Sequence, residues 1–167
     1  TSGNVNNVHF RVPGVSPLPF EQIRLVAASV ADATYKTYQR LDYKTWVPLK
    51  IAETELELGV RKPSQEDLAQ AQAWLKEAGP GPYSDRKLIY ARETTLLADY
   101  PETVRAKIQA FRIGELGIVS SPCETFVETG LAIKQQSPLK PTFTVELANG
   151  YNGYLPTPEH HELGGYE

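Results

Sequence analysis

The sequence predicts an α/β fold, a mixed sheet with flanking helices. Apolar residues recur with a period of two in some segments and at helical spacing in others, and the two kinds of segment alternate along the chain. The adjacent strand pair around Gly114 reads as antiparallel, which makes the sheet mixed rather than purely parallel. Neither an internal repeat nor a linker interrupts residues 1–167, so one domain is expected.

Each element has its own signal. Val8–Val12 reads as a short strand, followed by a loop from Pro13 to Pro19. Phe20, Ile23, Val26, Ala27, Val30, Ala31 and Tyr38 recur at helical spacing, so Pro19–Leu41 is an amphipathic helix. In Ile51–Val60, Thr54, Leu56, Leu58 and Val60 share one strand face, and Glu53, Glu55 and Glu57 share the other. Ser64, with Asp67 three residues on, caps a helix striped by Leu68, Ala71, Trp74 and Leu75, and Gly79-Pro80-Gly81-Pro82 ends it. Ser84–Tyr100 reads as a second helix capped by Ser84, with Ile89, Leu96 and Leu97 as its stripe.

Val104, Ala106, Ile108 and Ala110 alternate with Arg105, Lys107 and Gln109, as in a strand with one wet face. Gly114-Glu115 is a turn, and Leu116–Val119 is an apolar strand. Cys123–Lys134 reads as a helix, Thr142–Leu147 as a strand, and Ala148–Glu167 as a loop rich in Gly, Pro, Tyr and Asn.

Composition excludes several functions. With 41% hydrophobic and 22% charged residues, disorder is not the default. A net charge of −3 leaves no electrostatic footprint for nucleic acid and no polybasic patch for anionic membranes. The apolar runs are too short for a transmembrane segment. The lone Cys123 rules out a disulfide within the chain. The sequence opens on Thr1, contains no methionine and stops after Gly164-Gly165-Tyr166, which is expected of a processed product or an excised piece.

Two segments carry candidate chemistry. Ile118–Glu124 runs from a buried strand through a small-residue turn to Glu124, expected in the first turn of a helix. Function in open α/β sheets gathers at such strand ends, and the helix dipole favours a carboxylate there. The ordinary alternative is a helix-capping acid. The second segment, Ala148–Glu167, holds Tyr151, Tyr154, Tyr166, His160 and His161 on a long loop, and long loops in compact domains commonly bind or cover a site. Its alternative is a turn-rich surface loop.

Pro122-Cys123-Glu124-Thr125-Phe126, Asn149-Gly150-Tyr151-Asn152-Gly153-Tyr154, Thr157-Pro158-Glu159 and the closing Tyr166-Glu167 together resemble the motifs of the neutral (non-lysosomal) ceramidase family. The spacing from Tyr154 to Tyr166 equals the family's. Gly3-Asn4-Val5-Asn6-Asn7 resembles, more loosely, the family's Gly-Asp-x-Ser-Pro-Asn loop. The resemblance implies the later part of a catalytic domain that hydrolyses the amide bond of an N-acyl sphingolipid or a related amide. It implies Zn2+ as cofactor, Glu124 and Tyr154 as zinc ligands, and Tyr166 as hydrogen-bond donor to the amide carbonyl oxygen. It also implies a secreted or periplasmic enzyme in lipid metabolism, with two further histidine ligands supplied by the remaining part of the parent domain.

Departures from the family pattern leave other functions open. The family's serine at the scissile amide falls on Asn6, which cannot be a nucleophile but can donate a hydrogen bond. Cys123 stands where the family has glycine, and a small buried filler is its ordinary role. His9 reads as a half-exposed strand residue. Adjacent His160 and His161 are expected to point apart, so at most one binds metal. The alternatives are a catalytically degenerate member that binds through its Tyr-rich loop, and an N-terminal hydrolase using Thr1 with its α-amine as base.

Overall fold

The computed structural model describes residues 3–5 and 18–164. The strand expected at Val8–Val12, with His9, lies outside them, as do Thr1, Asn6, Tyr166 and Glu167. The elements run α1 (Glu21–Tyr38), β1 (Leu49–Gly59), α2 (Gln65–Ala78), α3 (Arg86–Ala98), β2 (Thr103–Ile113), β3 (Leu116–Ser120), β4 (Glu124–Thr125), α4 (Val127–Gln136), β5 (Thr142–Val145), β6 (Tyr154–Leu155) and α5 (Pro158–Leu163). This is an α/β fold with a mixed sheet and flanking helices. The larger sheet has the order β1-β2-β3-β5, and β4 and β6 form a second, two-stranded ladder.

The mixed character comes from β3. It pairs antiparallel with β2, Phe111 opposite Ile118, and parallel with β5, Ile118 opposite Phe143. Gly114 turns the β2–β3 hairpin at φ 63°, a conformation costly for any residue with a Cβ. Gly117 answers a different need, because a Cβ there would come within 2.6 Å of the Thr142 hydroxyl oxygen.

The described residues fall into two compact units. One takes residues up to Thr54 and from Lys107 onward, and the other is Glu55–Ala106. In the second unit α2 and α3 form a helical hairpin whose buried side chains are small, Ala71 and Ala91, so that the two backbones approach closely. Lys87 lies 4.0 Å from the centre of the Trp74 ring, and Lys62 donates to the carbonyls of Ala98 (2.8 Å) and Tyr100 at the end of α3. Ser64 caps α2 as its sequence implies, its Oγ accepting from the Asp67 amide at 3.0 Å.

Three sequence expectations need correction. Asp85, not Ser84, caps α3, because Asp85 is the last extended residue and its carboxylate accepts from the Lys87 amide at 2.9 Å. The helix expected from Cys123 begins at Val127, since Glu124 and Thr125 are held extended in the β4·β6 ladder. The segment from Ala148, expected to be a loop throughout, contains β6 and α5, the latter capped by Thr157 with Pro158 in its first turn.

The apolar stripe of α1 is found on a helix with no buried residue; Ile23, Val30 and Tyr38 are all more than half exposed. β1 is likewise classed as exposed along its eleven residues, Leu56 and Leu58 included.

The two capping candidates before α3 separate by mutation. Asp85→Ala is expected to cost about 1 kcal/mol of stability and Ser84→Ala less than about 0.5 kcal/mol, read as paired shifts in the urea unfolding midpoint.

Candidate functional site

The site is built around the extended segment 122–126. Its even residues face one neighbour: the Pro122 carbonyl accepts from the Asn152 amide (2.8 Å), and the Glu124 and Phe126 amides donate to Gly153 and Leu155 (2.9 and 3.2 Å). Its odd residues face the other side. The Cys123 carbonyl accepts from the Leu147 amide (3.2 Å) and the Thr125 carbonyl from the Gly3 amide (3.1 Å), while the Thr125 amide donates to Glu146 Oε2 (3.1 Å). Alternation of this kind is what an extended backbone imposes, and here it draws three distant parts of the chain onto one short segment.

Glu124 and Tyr154 are direct register partners in the parallel β4·β6 ladder. Side chains of paired residues leave the same face of a ladder whose strands are about 4.8 Å apart. Both residues are half-buried. Phe126, two residues on from Glu124 and so on the same face, is buried at 4% exposure. Its ring meets Tyr154 edge-on with centroids 6.5 Å apart, and His160 edge-on at 5.0 Å. His160 is oriented by a 2.6 Å hydrogen bond between its Nδ1 and the Thr157 hydroxyl. His161 is exposed, so the adjacent histidines do diverge. Glu124 and Tyr154 thus share a face with an aromatic wall of Phe126 and His160.

Gly3 and Asn4 are docked against this strand. Gly3 lies so close that a Cβ would sit 2.5 Å from the Glu124 carbonyl oxygen. The Asn4 side chain accepts from the Val127 amide and donates to Glu128 Oε2, both at 2.8 Å. The Glu128 amide and the Asn4 side chain hold the Glu128 carboxyl below the usual glutamate range, with a smaller contribution from His160. Cys123 is buried, and desolvation pushes its thiol up, which keeps it neutral and suits a packing role.

Among the sequence candidates, Glu124 and Tyr154 come together, and Asn6 and Tyr166 lie outside the described residues, as does Thr1. Sequence reading placed Asn4 and Thr157 in family-like motifs without giving either a role, and it missed Glu146. Only Thr157 had a local signal, a threonine before proline at the start of a helix; the partners of Asn4 and Glu146 are remote. An apolar groove of about 410 Å³ lined by Phe111, Ile118, Ile133 and Leu139 includes none of these residues and no ionisable group.

No family model matches the sequence, and no curated protein matches it. Among solved structures the chain is similar to neutral ceramidase from Pseudomonas aeruginosa, with a TM-score of 0.54 and 19% sequence identity. The match covers 93% of this chain and 30% of that one, so the chain spans under a third of the length of its structural neighbour. At that identity the likeness is one of fold.

Two outcomes follow from this geometry. Phe126→Ala is expected to cost about 3 kcal/mol, since it empties a buried site under Tyr154 and His160, and chemical denaturation measures it. A glutamate whose folded pKa is depressed adds stability above its unfolded pKa and loses it as pH falls through the folded value. Exchange of the Val127 amide should therefore rise as pH drops below the usual glutamate range, after correction for intrinsic exchange, and Glu128→Gln should remove most of that dependence.

Proposed function

We propose that this chain carries part of the active site of a zinc-dependent amidohydrolase of neutral-ceramidase type. Its substrate class is an N-acyl sphingolipid or a related amide. The observation that carries the proposal is the β4·β6 register, which pairs Glu124 with Tyr154. The motif resemblance and the fold of the structural neighbour support the same reading.

The donor chemistry fits part of a zinc shell. A carboxylate and a phenol are oxygen donors of the kind zinc accepts, and a catalytic zinc takes three or more protein ligands. No group of three or more His, Cys, Asp or Glu that could hold a metal occurs among the described residues. On this proposal the remaining ligands are the histidines that the resemblance assigns to the rest of the parent domain. Zinc, when bound, supplies a water of lowered pKa and polarises a carbonyl.

The chain's own residues have separate tasks. Glu124 contributes negative charge and Tyr154 a second oxygen from the neighbouring strand. Tyr166 would donate its O–H to the amide carbonyl oxygen, a bond that strengthens as negative charge develops there. Asn6 would donate a hydrogen bond at the scissile amide without taking part as nucleophile. The substitution of asparagine for the family's serine also favours a second reading, a catalytically degenerate member that acts as a binding module through its Tyr-rich loop.

Elemental analysis of the full-length gene product tests both. Near-stoichiometric zinc in wild type, with a clear loss in Glu124→Ala and a smaller loss in Tyr154→Phe, is the expected outcome. Chelator-sensitive cleavage of N-acyl amides would then select the hydrolase, and zinc without cleavage the binding module. No zinc in wild type would sink the metal site.

A further inference from the structure

We infer that Gly3 and Asn4 are positioning residues for Glu124, clamping the β4–α4 junction beside the candidate metal site. The inference rests on the proposed role of Glu124 as a ligand, but its geometry is independent of that role. α4 has no side-chain cap of its own, because its N-cap residue is Phe126. The orphan amide at Val127 is satisfied instead by the Asn4 carbonyl oxygen, from 123 residues away in sequence. The same side-chain amide group donates to Glu128 in the first turn of α4. One residue earlier, the Gly3 amide closes on the Thr125 carbonyl, and its missing Cβ is what permits the approach to the Glu124 carbonyl.

Asparagine suits this position because one side chain must both accept and donate. Aspartate would still accept from Val127, but it would set a second carboxylate against Glu128. The Asn4–Glu128 pair can, however, be reversed. In Asn4→Asp/Glu128→Gln, the carboxylate introduced at position 4 accepts both from the Val127 amide and from the carboxamide introduced at position 128, and the net charge is unchanged. Residues that orient a metal ligand typically change metal affinity by about 10- to 100-fold when lost.

The test compares wild type, Asn4→Ala, Asn4→Asp, Asn4→Asp/Glu128→Gln and Gly3→Ala in the full-length gene product. Zinc affinity is read by competition with a chelator, and clamp closure by hydrogen exchange at the Val127 amide. Both single Asn4 variants should lose about tenfold in zinc affinity and exchange faster at Val127, with the global unfolding midpoint little changed. The double variant should return both readouts toward wild type, which a merely structural asparagine would not do. Gly3→Ala should reproduce the loss without touching the Asn4 side chain. A double variant as impaired as Asn4→Asp overturns the inference, as does wild-type behaviour in Asn4→Ala. If wild type binds no zinc, the proposed function fails, and the clamp is then decided by the Val127 exchange pattern across the same variants.

Discussion

Backbone amides and carbonyls taken from water must find partners, and the segment 122–126 meets that demand with residues far away in sequence. Its even positions bond to residues 152–155 and its odd positions to Gly3, Glu146 and Leu147. The arrangement of the candidate site depends on that alternation. It holds Glu124 extended instead of letting it join the following helix, and it sets Tyr154 as its register partner. It also leaves α4 to start at Val127, where Asn4 can cap it. A slip of one residue would exchange the two faces, moving Glu124 away from Tyr154 and Thr125 toward it.

Directional bonds matter more here than bulk packing. The buried apolar side chains of this region include Pro122, Cys123, Phe126 and Pro156, while Ser120, Thr125 and Thr142 are buried polar groups. Thr125 bonds to Ser121 (2.6 Å) and Thr142 to Ser137 (2.7 Å) and to the Leu139 carbonyl (2.7 Å). A core of this kind gains less from area than an aliphatic one, but each satisfied group fixes a direction as well as a distance. Phe126 is the exception, a large ring that seats both Tyr154 and His160. A second polar network anchors the start of the Tyr-rich segment. Glu53 pairs with Lys107 (2.9 Å) and accepts from Gln109 (2.6 Å), and Gln109 in turn accepts from Asn149 (2.8 Å).

Local chemistry made most of the elements legible in the sequence. The periodicity of α1, the Ser64 cap of α2, the alternation in β2 and the Gly114 turn are each decided within a few residues. The two candidate ligands were also legible, though only as members of separate motifs. What sequence could not show was the secondary structure of Glu124 itself. A carboxylate just ahead of an apolar run reads as a helix start, and the pairing that overrides this comes from β6. The choice of Asp85 over Ser84 was hidden for a smaller reason, since both side chains can cap and only the backbone path selects one.

Residue patterns alone were thus enough for the α/β class, the order of most elements and the chemical identity of Glu124 and Tyr154 as oxygen donors. Tertiary structure alone decided that these two share a ladder, that Asn4 caps a helix it never adjoins, and that His160 rather than His161 packs on Phe126. The physical reason is range. Propensity, capping and turn chemistry act over a few residues, whereas strand register and the satisfaction of orphan amides are settled by whichever distant groups the fold brings within hydrogen-bond reach.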